Sequence, residues 1–183
     1  MPKFIKKDKN SLLSYDRDQY LEFLGDDFNS QTKWVGYSLQ LVSYRDPIKS
    51  LSILNETLKK LLAEYEDDSF WNVNHDDKDM KWFPDSQQNL KNLRELFRNH
   101  GIPNDFIGVI SFSKHELLQY FEDLVSYPYL LSYKNLDISN SELPIIIKIT
   151  SHLSLDLLST EISLLEKILD KNFTDLFKKI GYR

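Results

Sequence analysis

The stretch Phe106–Phe112 reads FIGVISF, and Ser113-Lys114-His115-Glu116 follows it without a break. Nearly continuous apolar residues over the length of a strand predict a central strand covered on both faces. Ser113, with Glu116 three residues on, matches a capping box, in which the two side chains satisfy amides left exposed at a helix start. The helix behind it places Leu117, Leu118, Phe121, Leu124 and Val125 together, and Tyr127-Pro128 is expected to stop it. A covered strand leading straight into an amphipathic helix requires layers, with helices packed on a sheet.

Asp46-Pro47 is a second helix start, an acidic cap before proline at the first helical position. Leu51, Leu54, Leu58, Leu61, Leu62 and Tyr65 form its apolar stripe. It runs into Glu64, Glu66, Asp67 and Asp68, where acids meet the negative end of the helix dipole, so the chain is expected to leave the helix there. Shorter helices are read over Asp16–Leu24, stopped by Gly25, and over roughly Gln87–Asn99, ended by Gly101 and Pro103. Lys33–Tyr44 alternates like a half-buried strand, with Val35, Tyr37, Leu39 and Leu41 on one face.

Phe70–Val73, Tyr129–Tyr133 and Pro144–Thr150 are further strand candidates, the last two joined by a turn-rich Asn135–Ser141. His152–Leu158 alternates and is read as strand, followed by a helix capped by Thr160 and running to about Lys171. Asn172 is expected to cap a last helix carrying Phe173, Leu176, Phe177 and Ile180. Strands beside strands favour an α+β fold over a doubly wound one. The expectation is a single domain over 1–183, a mixed but mostly antiparallel sheet packed by several amphipathic helices, with 1–10 as a flexible tail.

Charge narrows the function classes. The net charge is −5, and between Glu64 and Asp85 eight acids stand against Lys78 and Lys81. Such a domain is a poor non-specific nucleic-acid binder, because phosphate attraction needs a basic footprint. The chain has no cysteine, which excludes disulfides, thiolate metal sites and cysteine nucleophiles. Met1–Asn10 is charged and no apolar run follows it, and no apolar stretch has bilayer length. The expected location is the cytoplasm, with no membrane contact.

Phe70–Phe83 reads FWNVNHDDKDMKWF, and large aromatics rarely share so short a segment with dense charge unless the rings are anchored while the charges face outward. Trp71, His75, Asp76, Asp77, Asp79, Trp82 and Phe83 are therefore the candidate partner-binding residues. His75 and the aspartates are also suitable cation ligands, but in a calcium-loop register Asp77 occupies the glycine position and Phe83 the glutamate position. No cofactor or metal is expected. His152, Ser154 and Asp156 have the residue types of a hydrolytic triad, yet on one strand they would point the same way, roughly 6–7 Å apart, and are read as a solvent-facing row. His115-Glu116 lacks the second histidine of a zinc-protease helix, where Gln119 stands, and Gly36, Gly101 and Gly108 belong to no phosphate-cradling motif.

The leading expectation is a non-enzymatic binding protein whose acidic aromatic segment docks on a basic macromolecule, as an immunity or antitoxin protein does. One alternative is a small hydrolytic or metal-assisted enzyme using His75 and nearby aspartates. Another is a structural subunit that assembles through an apolar helix face over Phe173–Ile180.

Overall fold

The computed structural model describes residues 1–6, 34–42, 46–66, 68–76, 79–83, 90–131, 135–173 and 175–181. Among them are eight strands: β1 (Lys3–Lys6), β2 (Val35–Leu41), β3 (Phe70–His75), β4 (Gly108–Ser113), β5 (Leu136–Asn140), β6 (Ile145–Ile149), β7 (Ser154–Ser159) and β8 (Phe177–Gly181). Four helices are described: α1 (Pro47–Ala63), α2 (Lys91–Asn99), α3 (Lys114–Leu130) and α4 (Ile162–Asn172). The strands form one sheet in the order β1-β4-β3-β5-β6-β7-β2-β8, and every described pairing is antiparallel. The fold is α+β; the parallel pairings expected of a mixed sheet are not found among the described residues.

Two of the helix starts form as their residues dictate. Asp46 Oδ1 accepts from the amides of Ile48 and Lys49, and the Ser113–Glu116 capping box is complete. α1 ends at Ala63, ahead of the acidic run. α2 ends in a Schellman motif: the amide of Ile102 donates to Phe97 O, that of Gly101 to Arg98 O, and Gly101 takes φ 62°.

The helices cover one face of the sheet. α3 packs on β3, β4 and β5, α4 on β7 and β2, and α1 rests on both α3 and α4. Trp71 and Val73, Leu136 and Ile138, Ile147, and Leu155 and Leu157 point into this core, as period-2 alternation requires. The opposite face is polar and also buried at its centre. Asn74, Asp137, Lys148, Asp156 and Ser38 stand side by side in register across five strands. Asn74, Asp137, Lys148 and Asp156 are each at most 4 % exposed.

Several expectations give way. Lys3–Lys6 is a strand paired with β4 rather than part of a loose tail, and 7–10 lie outside the described residues. The Asp16–Leu24 helix lies outside them too. α3 does not stop at Tyr127-Pro128 but continues to Leu130, which leaves no strand over Tyr129–Leu131. Only the last turn follows Pro128, so one missing amide is tolerated, and the buried Tyr127 and Pro128 hold that turn on the core. Asn135–Ser141 contains β5, whose Asp137, Ser139 and Asn140 are buried partners of neighbouring strands and not turn formers. Thr150–Leu153 is a turn, so β7 begins at Ser154, and Asp156 faces the buried polar row where solvent was expected. Phe177–Gly181 pairs with β2 as an edge strand, which removes the apolar helix face read over Phe173–Ile180. No helix among the described residues is long and apolar enough to cross a membrane.

Candidate functional site

β3 divides what looks in sequence like one acidic patch. Six extended residues separate the run ending at Asp68 from Asp76, a span of roughly 20 Å. The two acidic groups therefore sit at opposite ends of a strand.

The downstream group has its aromatics inside. Trp71 and Trp82 are fully buried, Phe83 and His75 nearly so. Trp82 Nε1 donates to Gly108 O at 3.0 Å, and the amides of Trp82 and Phe83 donate to Phe106 O and Asn104 O. His75 Nε2 lies 2.9 Å from Tyr127 Oη, and Tyr127 donates its one hydrogen to Trp82 O. His75 Nε2 must then be the donor to Tyr127, which assigns the ring a hydrogen on that nitrogen. Burial pushes the Tyr127 phenol well above its ordinary range.

Asp76 is engaged as well. Its Oδ2 accepts from Lys148 Nζ at 3.1 Å and from Asn135 Nδ2 at 3.0 Å. Lys148 also pairs with Asp137 at 2.9 Å. Burial pushes Lys148 down, and the charges of Asp137 and Asp76 push it up by more, so it is held above the usual lysine range. Asp79 is exposed, and Asp77 lies outside the described residues.

The expected docking face thus fails in its composition. Trp71, His75, Trp82 and Phe83 form core, and Asp76 belongs to an internal ion-pair cluster. His75 is packed against Trp82 and Tyr127 and is 2 % exposed. Among the described residues no three His, Cys, Asp or Glu side chains are grouped to hold a metal ion.

The upstream run has the geometry that was expected downstream. Glu64, Tyr65, Glu66, Asp68 and Ser69 form one wall of a cleft of about 480 Å³. Leu164, Lys167 and Ile168 of α4 form another wall, and Asn140, Glu142 and Leu143 close it from the β5–β6 turn. Four carboxylates (Glu64, Glu66, Asp68, Glu142) and one ammonium (Lys167) thus share the lining with the less polar Tyr65, Leu143, Leu164 and Ile168. Glu66, Asp68 and Glu142 are exposed. Burial, and secondarily the Glu64 charge, pushes the Tyr65 phenol up to about 12.

The walls are pinned. Lys114 Nζ donates to Tyr65 O, and the Lys114 amide donates to Ser69 O. Ser69 Oγ donates to Glu66 O at 2.8 Å and accepts from Trp71 Nε1 at 3.0 Å, while the Tyr65 ring meets Trp71 edge-on at 5.1 Å. Asn140 Oδ1 accepts from the amides of Glu142 and Leu143, which fixes the turn that presents them. In the sequence the acidic run signals a helix end and a local charge excess, not a wall of a cleft. Its anchor, Trp71, stands in the sequence with the downstream acids instead. Glu142, Leu143 and α4 join the site through sheet topology, which leaves no local signal.

Comparison with protein-family models, with curated proteins and with solved structures finds no match to this chain.

Proposed function

We propose that this protein is a non-enzymatic binding protein that docks an acidic surface on a basic macromolecular partner in the cytoplasm, as an immunity or antitoxin protein does. One observation carries the reading: a cleft lined by Glu64, Glu66, Asp68 and Glu142 together with apolar residues, with its backbone tied down by Lys114, Ser69 and Asn140. A backbone held in place before contact avoids the ordering cost that flexible loops incur on binding. The field of the carboxylates draws basic partners in, and the apolar lining slows departure. The same charge repels phosphate, which excludes nucleic acid from this surface. The docking surface is the Glu64–Ser69 wall rather than Trp71–Phe83, because buried rings cannot meet a partner.

The test is affinity capture from lysate with mass spectrometry. It compares the wild type with the joint variant Glu64→Gln, Glu66→Gln, Asp68→Asn and Glu142→Gln. The expected result is a basic protein captured by the wild type and lost by the variant, with little change in melting temperature. Equal capture by both overturns the reading.

A further inference from the structure

We infer that β8 receives an extended acidic segment of a partner polypeptide, which adds to the sheet as a further strand beside Lys178 and Lys179. This surface is separate from the acidic cleft, and the inference is independent of the docking reading above.

β8 ends the sheet: it pairs with β2 on one side and with no described strand on the other. Lys178, Lys179, Ile180 and Gly181 are all exposed. The outer side of a terminal strand offers amides and carbonyls to an extended chain laid alongside. Apolar surface lies at the same edge. Val42, Leu176 and Ile180 are 65 %, 52 % and 38 % exposed, three of the seven large apolar side chains left open among the described residues. The Val42 amide donates to Leu176 O at 2.9 Å, which carries the β2–β8 pairing on past Phe177 and keeps those two residues at the edge.

Charge selects the occupant. Gln40 stands opposite Lys178 and Leu39 opposite Lys179, so β2 sets no carboxylate against either lysine. Neither has an ion pair among the described residues, whereas Lys59, Lys81, Lys148 and Lys171 all do. Lys179 Nζ lies 4.4 Å from the centre of the Tyr37 ring instead. A second copy of this chain is a poor occupant, because two antiparallel β8 strands bring lysines towards lysines, a common guard on an exposed edge. A strand bearing carboxylates meets attraction at the same positions. Lys178 and Lys179 point to opposite faces of the sheet, so the matching feature is two consecutive acidic residues, one for each face. An apolar residue beside them covers Ile180.

The experiment measures fluorescence anisotropy of a short labelled peptide of valine and threonine with two adjacent glutamates at its centre. One comparator has lysines in place of the glutamates. Another keeps the glutamates but is N-methylated at alternate positions, once in each phase, so that the amides facing β8 cannot donate. The proteins are the wild type, the pair Lys178→Gln and Lys179→Gln, and the pair Lys49→Gln and Lys60→Gln. Lys49 and Lys60 are exposed on α1, which packs on α3 and α4, so the second pair makes the same change in net charge on another element. We expect the wild type to bind the acidic peptide, with the β8 amides gaining protection from hydrogen exchange. The β8 pair should weaken binding about three- to tenfold and the α1 pair should leave it unchanged. N-methylation in one phase should abolish it. No binding, or binding that either N-methylated phase leaves intact, overturns strand addition. Equal binding of the lysine peptide, or equal loss in the two protein pairs, overturns the acidic assignment. A mass that doubles with concentration while β8 gains protection gives the edge to a second copy and likewise overturns the inference.

Discussion

Lys114 Nζ donates to the main-chain oxygen of Tyr65, joining the first residue of α3 to the end of α1 across 49 positions of sequence. Lys114 is 7 % exposed, so its ammonium serves the interior of the fold and the acidic wall at once. Lys114→Met keeps the apolar stem and removes the donor. It should destabilise the protein by about 1–3 kcal/mol, the range for leaving a buried acceptor unsatisfied. Urea unfolding reads this as a lower midpoint; an unchanged midpoint would show that the wall is not held by this contact.

Two tyrosines should respond in opposite ways to loss of their hydroxyls. Tyr127 bridges His75 and Trp82 O, whereas the buried Tyr65 hydroxyl has no hydrogen-bond partner among the described residues. Tyr127→Phe should cost about 1–3 kcal/mol, and Tyr65→Phe should be neutral or slightly stabilising. The pH dependence follows from the raised phenols. Below pH 10, the ordinary tyrosine value, folded and unfolded chains both keep the Tyr65 proton. Between there and about pH 12 only the folded chain keeps it, so stability falls as pH rises through that window. Tyr65→Phe should flatten that fall, as measured by urea unfolding at stepped alkaline pH.

What could be read from the sequence follows the distance over which each residue finds its partner. Asp46 and Ser113 satisfy amides two or three residues away, so those helix starts were legible. α2 has no side-chain cap at Leu90; the acceptor for its Leu93 amide is Asp123 of α3, 30 positions on, at 2.8 Å. β5 reads as a turn in sequence because aspartate and asparagine disfavour strands, yet Asp137 is matched across the sheet by Lys148. Phe173, Leu176, Phe177 and Ile180 fit helical spacing, but pairing with β2 overrode that local pattern. The candidate site failed for the same reason. The chain order of acids and aromatics was visible, whereas the strand that sets them at opposite ends was read only as far as Val73.

Gly108 marks a close approach that side chains cannot share. It has φ 153°, and a Cβ there would lie 2.2 Å from Ile5 O of the neighbouring β1. Gly108→Ala must push β1 away from β4, at a cost of about 1–3 kcal/mol for overpacking. Hydrogen exchange should show the β1 amides losing protection before those of β3. Protection left equal in β1 would mean that the edge strand is not held by this approach.

Lys148 should be the most sensitive position on the polar face of the sheet. It pairs with the buried Asp137 and with Asp76 and stands in register with Asp156, so Lys148→Met removes a cation from both of its carboxylate partners. Breaking a buried pair from one side costs about 3–5 kcal/mol. Adding Asp137→Leu removes one of those charges, so the double variant should regain part of the loss, the signature of direct coupling. The folded lysine is held above its ordinary 10.5, so its contribution is fully present at neutral pH and lost as pH climbs through the raised value. The stability gap between wild type and Lys148→Met should therefore stay constant around neutrality and narrow only in strong alkali. A gap that closes near neutrality would show that Lys148 does not hold its charge against Asp137, and the polar row would then need another source of cohesion.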